Sequence, residues 1–282
     1  MNVGVIGLGT IGKPMALRIL RAGFPLHVYD IRAEPVAELR AAGAHACTSS
    51  ADVAAHSEVI ISLVLDNAQM EDVVFGERGI VQSIKPSSLF ATGSTLGPAP
   101  VQRIAQALAA KQCATVDMPI TGGYLAASHG KLVLMVGGSE QDIARARPVF
   151  ETFAHVITPT GDIGSGQAAK LAHQLIMGIN ILGLLEGLSL AAAGGVTPDV
   201  MKQIVRDGIA NSTVLSMWPE MGPRWKKMLE ASDPAAALPN LRKDLHAVLE
   251  LARELGVALP VGTEVSRVAD TGTASGHDDP RL

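Results

Sequence analysis

Short apolar runs alternate with helical patterns from residue 2 to about residue 158. Seven of these runs are typical of strands, and many of them are apolar on both faces: VGVIG, LHVYD, EVIISLVL, SSLFATG, CATVDMPI, LVLMVGG and HVITP. Strands of this kind are typical of a mostly parallel sheet with helices on both sides. The segments IGKPMALRILRAGF and APVQRIAQALAAKQ have helical spacing, and Gly23 ends the first helix. This half of the chain is predicted to be a doubly wound, Rossmann-like α/β domain.

The pattern changes after TPTGDIGSGQ, and no convincing strand follows it. Helical spacing dominates near residues 165–194, 198–208 and 239–255. The last of these helices carries one apolar stripe that closes at Gly256: Leu241, Leu245, Leu249, Ala252 and Leu255. A change of pattern across a Gly- and Pro-rich turn indicates a domain boundary. The chain is therefore predicted to have an α/β domain at 1–161 and an all-α domain at 162–282, joined by a long interdomain helix.

Composition narrows the class of protein. The chain has 282 residues, of which 48% are hydrophobic and 18% charged, enough apolar material for two domains. A net charge of -4, with both signs interspersed, offers no basic face for nucleic acid or for anionic lipid. Cys47 and Cys113 lie far apart, and the eight histidines show no metal-ligand spacing. From this spacing we expect no bound metal. The chain starts directly with a strand-like segment, so we expect a cytoplasmic protein.

One segment, Leu175 to Gly195, is long and apolar enough to resemble a membrane span. Asn180, Glu186 and Ser189 interrupt it, and no flanking basic cluster orients it. We therefore expect a helix that is buried between domains or subunits, and no membrane partner.

A glycine-rich turn follows the first strand. Gly7, Gly9 and Gly12 form a GxGxxG pattern between a predicted strand and a predicted helix. One glycine allows the tight turn, one lets the backbone approach a pyrophosphate, and one allows close helix packing. With the intervening residues Leu8, Thr10 and Ile11, this turn is predicted to bind a dinucleotide.

The second predicted strand ends in Asp30, 18 residues after Gly12 by their numbers. A carboxylate there can accept hydrogen bonds from both ribose hydroxyls and would repel a 2′-phosphate, which favours NAD. The alternative is an aspartate that only forms a turn. Arg32 keeps NADP possible, because its guanidinium could reach a phosphate. Ile31 and Leu65 complete the cofactor contacts predicted for this part of the chain.

Lys170 stands on an otherwise largely apolar helical stretch, GSGQAAKLAHQLIMGIN. Burying a lysine without a partner costs several kcal/mol or lowers its pKa. Taken alone, the stretch favours a lysine whose ammonium extends to water at the start of a long helix.

Four ordered blocks change that interpretation, because together they resemble the β-hydroxyacid dehydrogenase family. The first is GVIGLGTIGKPMALRILRAG, which is similar to the cofactor-binding opening of the family, and the resemblance extends to about residue 260. The second is GSTLGP, where the resemblance implies that Thr95 contacts the nicotinamide ribose. The alternative for Thr95 is a helix N-cap.

The third block, DMPITGGYLAASHGKLVLMVGG, is similar to the substrate-binding segment of the family. This chain has Thr121, Gly122 and Gly123 where the family usually has Ser-Gly-Gly. The backbone N–H groups of such a turn and one hydroxyl form a donor set for a carboxylate. A plain glycine turn between strand and helix is the alternative.

The fourth block maps Gly164, Gly166 and Lys170 onto the family pattern GxGxxxKxxxN. This resemblance makes Lys170 the catalytic lysine, facing nicotinamide and substrate in a cleft between the domains. Gln174 stands where the family has asparagine, and the extra methylene moves the amide by roughly 1 Å. The segment RKDLHAVLELA resembles the helix in which Lys243 closes over the cofactor, although a solvated lysine is the alternative. The phenylalanine that the family has shortly before it is absent.

The resemblance implies reversible hydride transfer between NAD, or NADP, and a small β-hydroxyacid, with Lys170 as general acid/base. It also implies a homodimer or homotetramer. Two other functions stay open: an imine reductase-like enzyme, which would usually lack the lysine, and a cofactor-binding scaffold or sensor without turnover. Trp218 and Trp225 either line the pocket or belong to the core.

Overall fold

A computed structural model describes residues 1–219, 221–222 and 239–271. Contacts between Cα atoms divide the chain into two compact units, Met1–Lys170 and Leu171–Leu282. The boundary at residues 161 and 162 stays a prediction. Trp225 lies outside the described residues, so its placement is not discussed.

The first unit contains a single nine-stranded sheet. Its strands are β1 (Val3–Ile6), β2 (Leu26–Tyr29), β3 (His45–Ala46), β4 (Val59–Ser62), β5 (Leu89–Thr92), β6 (Ala114–Asp117), β7 (Ile120–Thr121), β8 (Leu132–Gly137) and β9 (Ala154–Gly161). Their order is β3-β2-β1-β4-β5-β6-β8-β7, and β9 pairs with β8. All pairs are parallel except β6 with β8 and β7 with β8. The predicted Rossmann-like sheet is confirmed.

Helices lie between the strands of this unit. They are α1 (Gly12–Arg21), α2 (Ala33–Ala41), α3 (Ser50–His56), α4 (Asn67–Phe75), α5 (Pro98–Ala109), α6 (Gly123–His129) and α7 (Glu140–Phe150). A short 3-10 helix spans Ile80–Gln82. Gly23 has φ +88 and its N–H bonds to the Leu20 carbonyl, so it ends α1 as predicted.

Two hydrophobic cores show that both faces of the sheet are covered. Val59 and Ile61 of β4 belong to one core, together with side chains of α1 and α7, whereas Ile60 belongs to the other core with side chains of α3 to α5. Successive side chains of a strand point to opposite faces, so an all-apolar strand needs a helical layer on each side. The confirmed doubly wound architecture follows from this pattern.

The helices of the second unit confirm the predicted all-α character of the described residues there. Helix α8 (Ser165–Ala193) crosses the boundary between the units, and α9 (Pro198–Asp207), α10 (Thr213–Ser216), α11 (Pro239–Glu254) and α12 (Pro260–Thr271) follow. Their core contains Ile181, Leu185, Leu245 and Val265. Leu255 was predicted on the buried stripe of α11, which is wrong. It lies beyond the last helical residue and is 66% exposed, whereas Val248 is buried.

Helix α8 has the length and apolar composition of a membrane span, and it is the one such helix among the described residues. Within its most apolar window, 39% of the residues are buried inside the chain. Length and composition alone are weak grounds for a membrane span, because core helices of soluble proteins share them.

Three histidines form a stack on the β2–β3 side of the sheet. The His27 ring lies 5.0 Å from the His45 ring and 5.4 Å from the His56 ring. Burial, followed by the charges that His45 and His56 would carry, lowers the pKa of His27, and Asp52 acts in the opposite direction. Burial also raises the pKa of the neighbouring Cys47 thiol to about 11, so that thiol stays protonated.

This stack predicts a pH-dependent stability. The folded chain protonates His27 less readily than the unfolded chain, so the unfolded state binds more protons once the pH falls below about 6.5. Stability should be fully present above that pH and decrease as the pH falls toward the lower, folded pKa of His27. We expect His27→Phe to reduce this decrease in urea denaturation between about pH 7.5 and pH 5.5. His129→Phe, at an exposed site, is the control, and an equal decrease in both variants would contradict the prediction.

Candidate active site

The turn after β1 has the geometry of a phosphate-binding loop. Gly7 has φ +89, and a Cβ there would lie 2.4 Å from the Leu63 carbonyl oxygen at the end of β4. A Cβ on Gly12 would lie 2.0 Å from the Gly7 carbonyl oxygen, whereas one on Gly9 would meet nothing within 4 Å. Gly7 and Gly12 therefore allow close packing within the turn, and Gly9 leaves open space beside the backbone. This turn lies where the strand order reverses, between β1 and β4, as in other dinucleotide-binding sheets.

The start of α1 is suited to an anion. No side chain caps it, and its first turn contains no acidic residue. Thr10 is exposed and Ile11 is half-buried at this end. The Leu8 side chain belongs to the core, so this residue takes part through its backbone, whose N–H donates to Asp30 Oδ2 at 2.6 Å. The start of the helix thus lies beside the glycine turn without a side-chain cap, although Pro14 has no N–H and the Lys13 N–H donates to the Gly9 carbonyl at 3.1 Å.

Asp30 follows β2, as predicted, and already has several donors. Oδ1 accepts from the Arg32 backbone N–H at 2.8 Å and from Arg32 Nε at 3.0 Å. Oδ2 accepts from Leu8 N–H and, at 3.2 Å, from Arg32 Nη2. Burial tends to raise the pKa of Asp30, but these bonds outweigh it and hold the pKa below its usual range. The carboxylate is therefore charged and faces an exposed arginine that can move away.

The residues around Asp30 fit a dinucleotide. Ile31 is 83% exposed and Leu65 is also exposed, so each leaves an apolar side chain at the carboxyl end of the sheet. Apolar side chains of this kind can pack against an adenine ring. The Asp30 carboxylate can accept hydrogen bonds from a ribose, and the glycine turn can bind a pyrophosphate. The donor set and the open space at Gly9 are what NAD needs.

Thr95 lies in the loop between β5 and α5, which the first turn of α8 holds in place. Gln167 Oε1 accepts from the N–H of Leu96 at 2.9 Å and of Gly97 at 3.3 Å, and Gln167 Nε2 donates to the Ser94 carbonyl at 2.9 Å. Ser94 Oγ also accepts from the Val64 N–H at 2.9 Å. Thr95 is half-buried between these anchored residues.

Asp117, the last residue of β6, anchors the start of α8. Its side chain is fully buried, Oδ1 accepts from the Gly164 N–H at 2.7 Å, and Oδ2 accepts from the Gln167 N–H at 2.7 Å. Burial raises the pKa of this carboxyl, while the backbone bonds act in the opposite direction. A carboxylate that accepts from the first N–H groups of a helix also interacts favourably with the helix dipole.

Backbone conformation and close packing explain the two glycines of the GxGxxxK pattern. Gly164 has φ +95. A Cβ on Gly166 would lie 2.5 Å from the Met135 carbonyl oxygen and 2.7 Å from Asp117 Oδ2. Only glycine at this position lets α8 approach β8 and Asp117 so closely. Lys170 is carried one turn later and is 7% exposed. It is therefore not a lysine whose side chain extends into water.

The predicted carboxylate-binding turn lies at the edge of the sheet. Thr121 pairs with Val133 of β8 and is half-buried. Gly122 and Gly123 are exposed and have φ +124 and φ +68. These backbone conformations favour glycine, and both residues are open to solvent. Its role in binding a carboxylate stays a prediction.

Gln174 and Lys243 belong to the second unit, where one carboxylate connects them. Gln174 Nε2 donates to Asp244 Oδ2 at 2.7 Å, and both side chains are buried. The Lys243 ammonium lies 3.1 Å from Asp244 Oδ1. This contact is an ion pair without hydrogen-bond geometry, since Oδ1 has no hydrogen-bond partner among the described residues. The amide of Gln174 is thus bonded to a buried carboxylate.

The sequence interpretation missed Asp117, Gln167 and Asp244. Each had a signal: a carboxylate at the end of a buried strand, a glutamine three residues before Lys170, and an aspartate between two leucines of an apolar stripe. Polar residues at buried positions need partners, so each could have been marked as a structural anchor.

The fold agrees with comparisons to known proteins. Residues 2–161 match the NAD-binding domain of 6-phosphogluconate dehydrogenase, and residues 164–280 match the NAD-binding region of NADP-dependent 3-hydroxyisobutyrate dehydrogenase. The chain belongs to the β-hydroxyacid dehydrogenase family. It is an oxidoreductase that uses NAD, with NADP as a possible cofactor.

Three relatives illustrate the match. The chain is 33% identical to 2-hydroxy-3-oxopropionate reductase of Escherichia coli, over 98% of this chain and 92% of the relative. It is 31% identical to 3-hydroxyisobutyrate dehydrogenase of Pseudomonas aeruginosa, over 93% and 88%. A solved 3-hydroxyisobutyrate dehydrogenase from Salmonella typhimurium gives a TM-score of 0.81 at 31% identity and covers 95% of this chain and 92% of that one. These relatives support NAD(P)-dependent hydroxyacid dehydrogenase activity in general.

The bonds at Asp30 predict how Arg32 affects cofactor choice. We expect the parent to bind NADH more tightly than NADPH, since the Asp30 carboxylate repels a 2′-phosphate. Arg32→Ala should weaken NADPH binding by about tenfold, the scale of one hydrogen bond to a charged group, and leave NADH binding equal or tighter. Fluorescence titration measures both, with Arg40→Ala on α2 as the control. If the parent prefers NADPH, the proposed role of Asp30 is wrong.

Proposed function

We propose that this protein transfers a hydride between NAD, or NADP, and the hydroxyl-bearing carbon of a small β-hydroxyacid, with Lys170 as the general acid/base. The observation that carries the proposal is a buried lysine one turn into a helix whose start is bound to Asp117 and, through Gln167, to the Thr95 loop. Lysine side chains are rarely buried to this extent, so the position of Lys170 supports a functional role.

The proposed reaction moves one hydride and one proton. When bound, the nicotinamide accepts the hydride from the carbinol carbon or supplies it in the reverse direction. Lys170 Nζ, as the neutral amine, takes the hydroxyl proton as the carbonyl forms; as the ammonium, it returns that proton to the oxygen in reduction. Gln167 and Asp117 keep the first turn of this helix in place. The buried surroundings of Lys170 exclude water from the transfer.

The substrate class follows from the second predicted site. We propose that the Thr121 hydroxyl and the N–H groups of Gly122 and Gly123 bind the substrate carboxylate. Two relatives named above act on different small acids by their names, 2-hydroxy-3-oxopropionate and 3-hydroxyisobutyrate. A small acid with a hydroxyl β to its carboxylate is therefore the class to test. Gln174 and Lys243 are proposed to complete the substrate and cofactor contacts.

Two other functions are less well supported. An imine reductase-like enzyme would usually lack the lysine, and this chain retains it in a buried position. A scaffold or sensor without turnover would need the phosphate-binding turn but has no use for the buried lysine. The missing phenylalanine and Gln174 are the features that favour it.

The role of Lys170 is tested on a substrate found in a panel of small β-hydroxyacids. We expect Lys170→Ala to lower kcat by roughly 10²-fold or more, the usual scale for a general acid/base group, while NADH binding changes little. Lys170→Arg should fail too, because arginine keeps the charge but does not release its proton near neutral pH. Lys85→Ala, at an exposed site, is the control. Near-parent kcat in Lys170→Ala would show that lysine is not the acid/base group.

We further propose that the protein forms a homodimer or homotetramer through α8. We also propose that it is a soluble, cytoplasmic enzyme. The exposed positions of this helix share one stripe and are mostly apolar or small: Ala172, Ile176, Gly183, Glu186, Leu190 and Ala193. Leu190 is 77% exposed. Exposed apolar surface of this kind marks an interaction site, and small residues let a second helix approach closely.

Light scattering tests the assembly. We expect at least a dimer at micromolar concentration, and Leu190→Glu should shift it toward the monomer because the charge would be buried in the interface. Leu255→Glu, at another exposed leucine, is the matched control. A parent protein that is monomeric would contradict the proposal.

A further inference from the structure

The Gln167 side chain is fully buried, and both of its polar atoms are hydrogen-bonded. It lies in the first turn of α8, three residues before Lys170, and is 0% exposed. Its Oε1 accepts from two N–H groups, Leu96 and Gly97, and its Nε2 donates to the Ser94 carbonyl. One side chain therefore bonds three peptide groups of a single loop.

That loop is fixed from its other side as well. Asn67 Nδ2 donates to the Leu96 carbonyl at 3.4 Å, and Ser94 Oγ accepts from the Val64 N–H. Thr95 lies at the centre of the fixed segment. The loop is thus held between the loop that follows β4 and the start of α8, and Gln167 provides the second of these attachments.

Residues three apart on a helix share a face, so Gln167 and Lys170 move together as one rigid turn. We propose that Gln167 is a positioning residue that sets the distance between Lys170 and the Thr95 loop. This inference rests on the proposed function, in which Thr95 contacts the cofactor and Lys170 transfers the proton. A displacement of about 1 Å between such groups can lower turnover by roughly 10²-fold.

Glutamine suits this position because the loop needs a donor and an acceptor from one side chain. Leucine would leave two N–H groups and one carbonyl without their partner. An ionised glutamate would keep the acceptor but place a charge against the Ser94 carbonyl oxygen. A protonated glutamate would restore both functions, with its O–H donating to that carbonyl.

The first experiment compares Gln167→Leu with Gln102→Leu. Gln102 is exposed and donates to the Ile163 carbonyl at 3.3 Å, so it also bonds the start of α8 but does not bond the Thr95 loop. We expect Gln167→Leu to lower kcat at least tenfold and to raise the deuterium isotope effect on kcat, because hydride transfer becomes rate-limiting. Gln102→Leu should stay within about twofold of the parent. Equal effects in the two variants would overturn the proposal.

A second variant covers the case in which Gln167→Leu does not fold. In Gln167→Glu, burial should raise the pKa of the new carboxyl above about 4.3, so its protonated fraction grows as the pH falls. The ratio of variant kcat to parent kcat should therefore rise between about pH 8 and pH 6. A low ratio that does not change with pH would contradict the proposal.

A parent that turns over no substrate would refute the proposed function rather than this inference. Amide hydrogen exchange then decides the inference without activity. Leu96 and Gly97 N–H should exchange faster in Gln167→Leu than in the parent, and Gln102→Leu should leave both unchanged. Unchanged exchange at Leu96 and Gly97 in Gln167→Leu would overturn the inference by itself.

Discussion

The bond from a buried carboxylate to the start of a helix fixes the rest of the candidate site. Asp117 ends β6 and accepts from the N–H groups of Gly164 and Gln167, so the beginning of α8 is set by the sheet. Taking a carboxylate out of water is costly, and two short backbone bonds and a helix N-terminus offset part of that cost. Lys170 follows on the same helix, and the Gln167 side chain attaches the Thr95 loop to it.

A second carboxylate organises the opposite end of the same sheet edge. Asp30 holds the N–H of Leu8 in the glycine turn and the guanidinium of Arg32, so the turn and the ribose-binding position form one connected unit. Asp30 is approached by an exposed side chain, whereas Asp117 is closed off by backbone. This difference fits two roles: Asp30 can exchange its partner for a ligand, whereas Asp117 only stabilises the structure.

Much of this could be predicted from the sequence. Apolar runs such as VIIS identified the buried strands, and the glycine spacing identified the phosphate turn because only glycine fits at Gly7 and Gly12. Short elements, such as β3 and β7 with two residues each, carry too little periodicity to be found. Asp117, Gln167 and Asp244 were missed because their partners are backbone groups or side chains distant in the sequence, from 47 residues apart for Asp117 and Gly164 to 73 for Gln167 and Ser94. Leu255 was misplaced because helical spacing does not show where a helix ends.

Isotope transfer tests the central claim most directly. The protein is incubated with NAD and a small β-hydroxyacid that carries deuterium on its hydroxyl-bearing carbon, and the reduced cofactor is examined by mass spectrometry. The account predicts that the deuterium appears in the reduced cofactor, because hydride passes directly between the two carbons. Reduced cofactor without deuterium, or no reduction with any acid of the panel while NADH still binds, would contradict it.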